Sequence, residues 1–274
     1  MSAEIISKEP PALDIKLETV TPERAAVLLK GNTHNRSVNA NYVQTLAREM
    51  TEGRWKVNGD SIRMNGSTLI DGQHRLTACI LSGQSFDTLV LTGLESDVFD
   101  TIDNGRKRTA GDVLSITGEK NATTMAAALS VVARYKAGAM RRQWAVSTTE
   151  IEGLRQEYIG IRESVDLGVN NRANGMISPS MIAALHYLFA EHDPALATDY
   201  CLKLIKGIGL EESDPVFKLR ARLIQNATAK AKLPRAEIVA LIIKAWNSTR
   251  QGVRPKTLRW RTAGNAAEAF PVIE

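Results

Sequence analysis

The chain is poor in cysteine, in aromatic residues and in long apolar runs, and each shortage excludes a class of protein. Two cysteines among 274 residues, Cys79 and Cys201, form neither a disulfide framework nor a metal cluster. Phe, Trp and Tyr make up 5% of the chain, so we expect an aliphatic core. No stretch approaches the roughly 18 uninterrupted apolar residues of a membrane helix, and the first residues lack the basic and apolar regions of a secretory signal. We therefore expect a cytoplasmic protein that spans no membrane.

Several motifs that identify enzyme classes are also missing. The P-loop pattern G-x-x-x-x-G-K-[ST] and the nucleophile pattern G-x-S-x-G do not occur. The two cysteines lie far apart, and the four histidines are scattered at His34, His74, His186 and His192. A zinc site needs such side chains in a cluster, so we expect none.

Charge is divided unevenly between the two halves of the chain. Residues 1–112 contain 13 Lys and Arg against 15 Asp and Glu, whereas residues 113–274 contain 22 against 15. A basic excess confined to one half indicates a polyanionic partner, and solvated helix surfaces are the alternative. The densest basic stretch predicts a DNA-binding surface, to which we assign Lys218, Arg222, Lys230 and Lys232.

The spacing of apolar residues also changes along the chain. Residues 1–16 are polar and are predicted to be a flexible arm. Residues 17–115 combine helical spacing with two period-two segments on either side of an Asn-Gly turn, which predicts a small α/β domain. Residues 116–274 show helical spacing almost throughout and predict an all-α domain. The expected fold class is therefore α+β.

The segment from Asp71 to Arg75 joins a predicted strand to a predicted helix. A helix N-terminus offers unpaired N–H groups and a partial positive charge, which suits a phosphate. Gly72 lets the backbone approach a ligand, and His74 and Arg75 add donors. Asp71 would repel a bare phosphate, which indicates a cation, a base role or a hydrogen bond to a hydroxyl. The alternative is a structural turn, with Asp71 as the helix cap and the basic side chains in solvent.

Residues 69–78 resemble the central motif of the ParB/sulfiredoxin superfamily in its DGQHR form. The resemblance covers roughly residues 15–112 and includes several outlying pieces. These are Asn35-Arg36, Trp55 with Asn58-Gly59, and Asp103-Asn104-Gly105-Arg106 with Arg108. The whole chain resembles ParB-like proteins of phages and prophages, which join such a module to a helical region.

The resemblance implies a ParB/sulfiredoxin-like domain that binds a nucleoside triphosphate, which is CTP in ParB proteins and ATP in sulfiredoxin, with Mg²⁺ as an optional companion. The phosphate-binding residues that it implies are Gly72, Gln73, His74, Arg75, Asn35, Arg36, Arg106 and Arg108. Sulfiredoxin carries its nucleophilic cysteine at the position of Gln73. Because that chemistry needs a thiolate, we do not expect sulfinic-acid reductase activity.

Three functions remain open from the sequence. The first is a nucleotide-binding, DNA-associated ParB-like protein of a phage or prophage, acting in the bacterial host, with a homodimer left open. The second is a metal-dependent nuclease or an NTP-dependent phosphotransferase on the same fold, with Asp71 and His74 as catalytic groups and Asp100 and Asp103 as further metal ligands. The third is a structural phage protein in which the site is vestigial.

Overall fold

The computed structural model describes residues 13–33, 35–95, 108–173, 175–262 and 267–274. The chain divides into two units, Met1–Lys107 and Arg108–Glu274. In their described parts, the first unit contains a four-stranded mixed sheet with three helices and the second unit is helical, which confirms the α+β class. Within these ranges no helix combines the length and the apolar character needed to cross a membrane.

The first unit is built around its sheet. Its elements are β1 (Asp14–Val20), α1 (Pro22–Leu29), α2 (Ala40–Thr51), β2 (Ser61–Asn65), β3 (Thr68–Asp71), α3 (Gln73–Ser82) and β4 (Phe86–Thr92). The strand order is β1-β4-β2-β3. β2 and β3 form an antiparallel hairpin, β4 runs parallel to β2, and β1 runs antiparallel to β4. The central parallel pair needs a crossover connection, and α3 supplies it.

Side-chain caps start the first two helices. Thr21 accepts a hydrogen bond from the Arg24 N–H group at α1, and Asn39 accepts one from the Tyr42 N–H group at α2. Together with α3, these helices cover one face of the sheet. The core between them is mainly aliphatic and includes Val20, Ile62, Leu69, Leu76 and Val90.

The second unit consists, in its described part, of eight helices. These are α4 (Ala110–Ile116), α5 (Ala122–Lys136), α6 (Thr148–Glu157), α7 (Ile161–Asn170), α8 (Pro179–Ala190), α9 (Pro194–Lys206), α10 (Pro215–Thr228) and α11 (Arg235–Arg250). Capping boxes at Thr109 and Ser147 start α4 and α6, and a proline in the first turn starts α8, α9 and α10. The core contains the stacked rings of Phe189 and Trp246, whose centroids are 4.3 Å apart.

Two boundaries differ from those expected from the sequence. Residues 14–16, expected to belong to the arm, form the start of β1, because β1 pairs along its full length with β4. The second unit begins at Arg108 rather than at residue 116, because α4 packs against α5. The part of the predicted arm before residue 13 lies outside the described residues.

Candidate functional site

The helix α3 begins at a glycine that the fold itself requires. Gly72 has a φ of 111°, in the left-handed region that favours glycine. A Cβ atom at this position would lie 2.4 Å from Ile62 Cδ1 on β2. The absence of a Cβ at Gly72 therefore makes room for Ile62, and Gly72 also lines the cleft described below. Gly72 also provides no side chain to cap the first turn of α3.

Asp71, the last residue of β3, is engaged by its neighbours through both carboxylate oxygens. Oδ1 accepts a hydrogen bond from the Gly72 N–H group at 2.7 Å, and Oδ2 accepts one from Arg75 Nη2 at 3.0 Å. Arg63 Nη1 lies 3.8 Å from the same Oδ2. This arrangement suits a residue that positions arginines better than one that removes a proton from a substrate.

Arg75 is held in place on one side of its guanidinium group and lacks a partner on the other. Nη2 donates to the Ser61 carbonyl at 2.9 Å as well as to Asp71. The side chain is only 11% exposed. Nη1 is buried and has no hydrogen-bond partner among the described residues. A buried donor in this state costs free energy, so an acceptor at this position would stabilise the site.

Gln73 and the loop between α1 and α2 are bonded to each other. The buried Gln73 side chain donates to the Arg36 carbonyl at 2.9 Å and accepts from Asn32 Nδ2 at 3.1 Å. Asn35 Nδ2 donates to Asn32 Oδ1 and to the Leu69 carbonyl. The structure therefore brings the loop to the start of α3. The Gln73 amide bonds to the backbone of the loop and the Asn35 amide bonds to the backbone of β3, and neither residue lines the cleft described below.

His74 connects α3 to the start of α2. Its Nε2 atom accepts a hydrogen bond from the Asn39 N–H group at 3.0 Å, so the neutral ring carries its hydrogen on Nδ1. The ring of Tyr42 meets the His74 ring edge-on, with 5.4 Å between centroids. These contacts fix the orientation of the imidazole at the edge of the site.

A cleft of about 160 Å³ opens beside the first turn of α3. It is lined by three arginines, two aspartates, a histidine and two aromatic rings, among other groups. These residues are Arg36, Arg63, Arg75, Asp60, Asp71, His74, Tyr42 and Trp55. Three guanidinium groups against two carboxylates leave a formal charge of +1 when the histidine is neutral, so the cleft favours an anion.

Two arginines named from the sequence lie outside the described part of the first unit. Arg106 lies outside the described residues, as do Asp100 and Asp103. Arg108 is the first residue of the second unit, directly before the Thr109 cap of α4.

Besides the apolar Leu46, three residues of the cleft were not expected from the sequence. Arg63 lies opposite Asp71 in the register of the β2–β3 hairpin, so the predicted hairpin could have placed it beside the site. Asp60 lies directly before β2 and reaches the cleft by the same route. Tyr42 belongs to the first turn of α2, and no local signal connects it with the site.

Two of the predicted DNA-binding lysines form bonds within the second unit. Lys218 Nζ donates to the Pro255 carbonyl. Lys232 Nζ donates to the carbonyls of Asn226, at 3.0 Å, and Ala227, in the last turn of α10. A cation at this position satisfies terminal helix carbonyls and interacts favourably with the helix dipole. Lys218 and Lys232 therefore have structural roles that the sequence did not indicate.

Arg222 and Lys230, the other two predicted DNA-binding residues, are exposed. Arg222 Nη1 contacts Gln225 at 3.3 Å, and its Nη2 lies 4.0 Å from the Glu237 carboxylate. A pair at that distance on a surface is weak, so the guanidinium group stays accessible. Lys232 is exposed as well, whereas Lys218 is half-buried.

The surroundings of both thiols suppress their reactivity. Burial, with a smaller contribution from Glu23, raises the pKa of Cys79 to about 11, and its Sγ contacts the Val20 and Gln84 carbonyls. Burial also raises the pKa of the fully enclosed Cys201 well above its usual range. Because the thiolate is the reactive form, neither thiol is activated. Both cysteines are buried.

The described residues contain no group of three or more His, Cys, Asp or Glu side chains arranged to hold a metal ion. The groups that the cleft beside α3 offers to a ligand include three guanidinium groups and two aromatic rings. Comparisons of the chain with protein-family models, with curated proteins and with solved structures found no match.

Proposed function

We propose that the first unit binds the phosphate groups of a nucleoside triphosphate in the cleft beside α3. The observation that carries this proposal is Arg75 Nη1, a buried guanidinium nitrogen without a partner among the described residues. Arg36 and Arg63 line the same cleft. Phosphate oxygens are strong acceptors for guanidinium groups, and they would satisfy the unpaired nitrogen while balancing the positive charge of the cleft.

The size of the cleft limits which part of a nucleotide it holds. Its volume of about 160 Å³ is below the roughly 300–1,000 Å³ of pockets that enclose a whole ligand. We therefore assign the phosphates to the cleft and leave the base at its rim, where Tyr42 and Trp55 offer aromatic surfaces. This predicts weak discrimination between CTP and ATP. Mg²⁺ would be held mainly by the phosphates and water, with Asp60 or Asp71 as a single protein ligand.

The second unit is proposed to contact the DNA backbone. The support is the excess of basic residues in 113–274, 22 against 15 acidic, and the exposure of Arg222 and Lys230. Together the two units would form a ParB-like, nucleotide-binding and DNA-associated protein of a phage or prophage. Nucleotides and DNA are both present in the bacterial cytoplasm, which is where we propose that the protein acts.

Nucleotide-dependent stabilisation tests the cleft. Thermal unfolding would be measured with CTP, ATP, GTP and inorganic triphosphate, each with Mg²⁺, for the wild type and two variants. Arg36→Gln removes an exposed cation that lines the cleft, and Lys30→Gln removes an exposed cation that does not. A ligand at about 100 times its Kd stabilises the folded state by about 2.7 kcal/mol.

We expect all four ligands to raise the melting temperature of the wild type and of Lys30→Gln. In Arg36→Gln the affinity should fall by about tenfold or more, because a charge-assisted hydrogen bond is removed. No stabilisation at millimolar ligand, or equal stabilisation of both variants, would contradict the proposal and favour a vestigial site.

The nuclease or phosphotransferase alternative has less support from the geometry. A general base needs an open lone pair directed at the substrate. The single ring lone pair of His74 Nε2 already accepts a hydrogen bond from the Asn39 N–H group, and the Asp71 carboxylate is paired with Arg75. Metal-dependent cleavage of DNA or of the nucleotide that is lost in His74→Ala but kept in Lys30→Gln would restore this alternative.

A further inference from the structure

The strand β1 forms an edge of the described sheet and carries exposed apolar side chains. Among the described strands it pairs only with β4, so one side of its backbone faces away from the sheet. The exposed fractions are 49% for Leu13, 60% for Ile15 and 66% for Leu17. An accessible edge strand with exposed apolar residues is a template for pairing with another strand.

The apolar surface continues from β1 onto β4. Ile15 lies opposite Leu91 and Leu17 lies opposite Leu89, so these four side chains share one face of the sheet. Val20 points to the other face, which α1, α2 and α3 cover. Leu89 and Leu91 are half-buried. The face away from the helices is therefore apolar along the edge of β1.

We propose that two copies of this chain associate by antiparallel pairing of their β1 strands, with Leu17 opposite Leu17. Leu17 is the middle residue of the seven in β1, so this register pairs the strand over its full length. It places Lys16 of each copy opposite Glu18 of the other. The exposed apolar strips of the two copies then form one surface across the joined sheets.

The charges of Asp14, Lys16 and Glu18 favour the register centred on Leu17 over the registers centred on the adjacent residues. A register centred on Lys16 would place two ammonium groups opposite each other and Asp14 opposite Glu18, and one centred on Glu18 would oppose two carboxylates. A register centred on Ile15 would leave the second half of β1 unpaired. A slip of one residue would turn the apolar strip of one copy to the polar face of the other.

The existing ion pairs of β1 are compatible with this pairing. Glu18 accepts from Arg24 at 2.7 Å, and Lys16 lies 2.7 Å from Asp14. A carboxylate has further lone pairs and an ammonium group has three donors, so both can take a second partner. The interface lies on β1 and uses none of the residues assigned to nucleotide binding, so the two proposals are independent.

Sedimentation of the full chain over a range of concentrations tests the association. We expect a monomer–dimer equilibrium for the wild type. Leu17→Lys places two ammonium groups opposite each other and should weaken the dimer by at least about tenfold. The matched control is Leu81→Lys on α3, where Leu81 is 59% exposed and lies outside the interface. A wild type that is monomeric throughout, or equal effects of the two variants, would overturn the proposal.

Disulfide formation tests the register. Directly opposed residues in an antiparallel pair have Cα atoms about 4.5–5.5 Å apart, which a disulfide can bridge. Leu17→Cys should therefore give a covalent dimer under mild oxidation. Glu18→Cys should not, because two diagonal positions on this ladder are about 7–8 Å apart. Cys79 and Cys201 are buried and do not compete. Equal cross-linking of the two variants, or none in Leu17→Cys, would refute this register.

Discussion

Arg75 lies one helical turn after Asp71, and its Nη2 atom donates to Asp71 Oδ2 at 3.0 Å. The same nitrogen donates to the Ser61 carbonyl at 2.9 Å. These two bonds join the end of β3, the start of β2 and the first turn of α3. The pair therefore fixes the walls of the cleft and determines where the remaining guanidinium nitrogens lie.

Removing the charge of Asp71 should have opposite effects on stability and on binding. Asp71→Asn is expected to lower the free energy of unfolding by about 1–2 kcal/mol, because the largely buried Arg75 loses its carboxylate partner. Binding of inorganic triphosphate should become tighter, because the cleft loses a negative charge. Urea unfolding and titration calorimetry measure the two effects.

Asp60→Asn is the matched control for this prediction. It removes the same charge from the cleft but leaves the bonds of Arg75 intact. We expect tighter triphosphate binding with a change in stability below about 0.5 kcal/mol. Weaker binding in Asp71→Asn would mean that binding needs the Asp71 carboxylate, either to hold Arg75 in place or to hold a cation.

Gly72→Ala should be strongly destabilising. The residue has a φ of 111°, and the new Cβ would lie 2.4 Å from Ile62 Cδ1, so backbone strain and overpacking act together and should cost about 2–4 kcal/mol. Gly66→Ala, at a φ of 55° with open space around it, should cost only about 1 kcal/mol. Chemical denaturation of both variants measures the difference.

The overpacking part of the Gly72 effect can be isolated. Ile62→Val removes the Cδ1 atom that the new methyl group would meet. The double variant Gly72→Ala/Ile62→Val should therefore be more stable than the sum of the single effects predicts. Additive effects would mean that backbone strain alone requires the glycine.

His186 should make the stability of the second unit depend on pH. Burial lowers the pKa of His186 below its usual 6.5, an effect that Glu163 opposes. Its two ring nitrogens contact the hydroxyls of Ser164 and Thr198. The unfolded chain takes up the proton more readily, so stability present above pH 6.5 is lost as the pH falls below that value.

The comparison with His186→Gln tests this effect, because an amide can bond to the same hydroxyls and does not titrate. The free energy of unfolding of the wild type relative to the variant should decrease between about pH 7.5 and about pH 5.5. Parallel pH profiles for the two proteins would show that His186 is not responsible.

Salt dependence should separate the cations that contact DNA from those that hold the fold. The double variant Arg222→Gln/Lys230→Gln should bind DNA more weakly whatever its sequence. The slope of the logarithm of the DNA-binding constant against the logarithm of the salt concentration should fall in magnitude by about 0.9 for each phosphate that the variant no longer neutralises.

The control is Lys232→Gln, which should leave the slope unchanged. It should cost about 0.5 kcal/mol of stability, because Lys232 interacts with the end of α10. A Lys232 effect on the slope as large as that of the double variant would contradict this division.

Local signals are sufficient to predict most of the elements around the site. The Asn-Gly turn predicts the β2–β3 hairpin, and the caps at Thr21 and Asn39 predict the starts of α1 and α2. The strand-to-helix junction at residues 71–73 follows from the change of period. Each of these features depends on residues that are close together in the sequence.

The rest could not be predicted because it depends on distant partners. The close approach of Ile62 requires a glycine at position 72. The Gln73 side chain donates its hydrogen bond to the Arg36 carbonyl in a distant loop. β1 has a period-two pattern, but its apolar residues face away from the core, so the sequence does not distinguish its first residues from a polar arm. Only the pairing with β4 makes it a strand.

The pairing of β1 with β4 has a consequence for the order in which the protein can fold during synthesis. Each residue of β1 pairs with a residue between 66 positions later, from Val20 to Phe86, and 78 positions later, from Asp14 to Thr92. The hairpin and α3 can form on the ribosome while β1 waits for its partner. Among the described strands, β1 is synthesised first, and it has no partner in the sheet until β4 has left the exit tunnel. Until then its backbone is exposed to other chains.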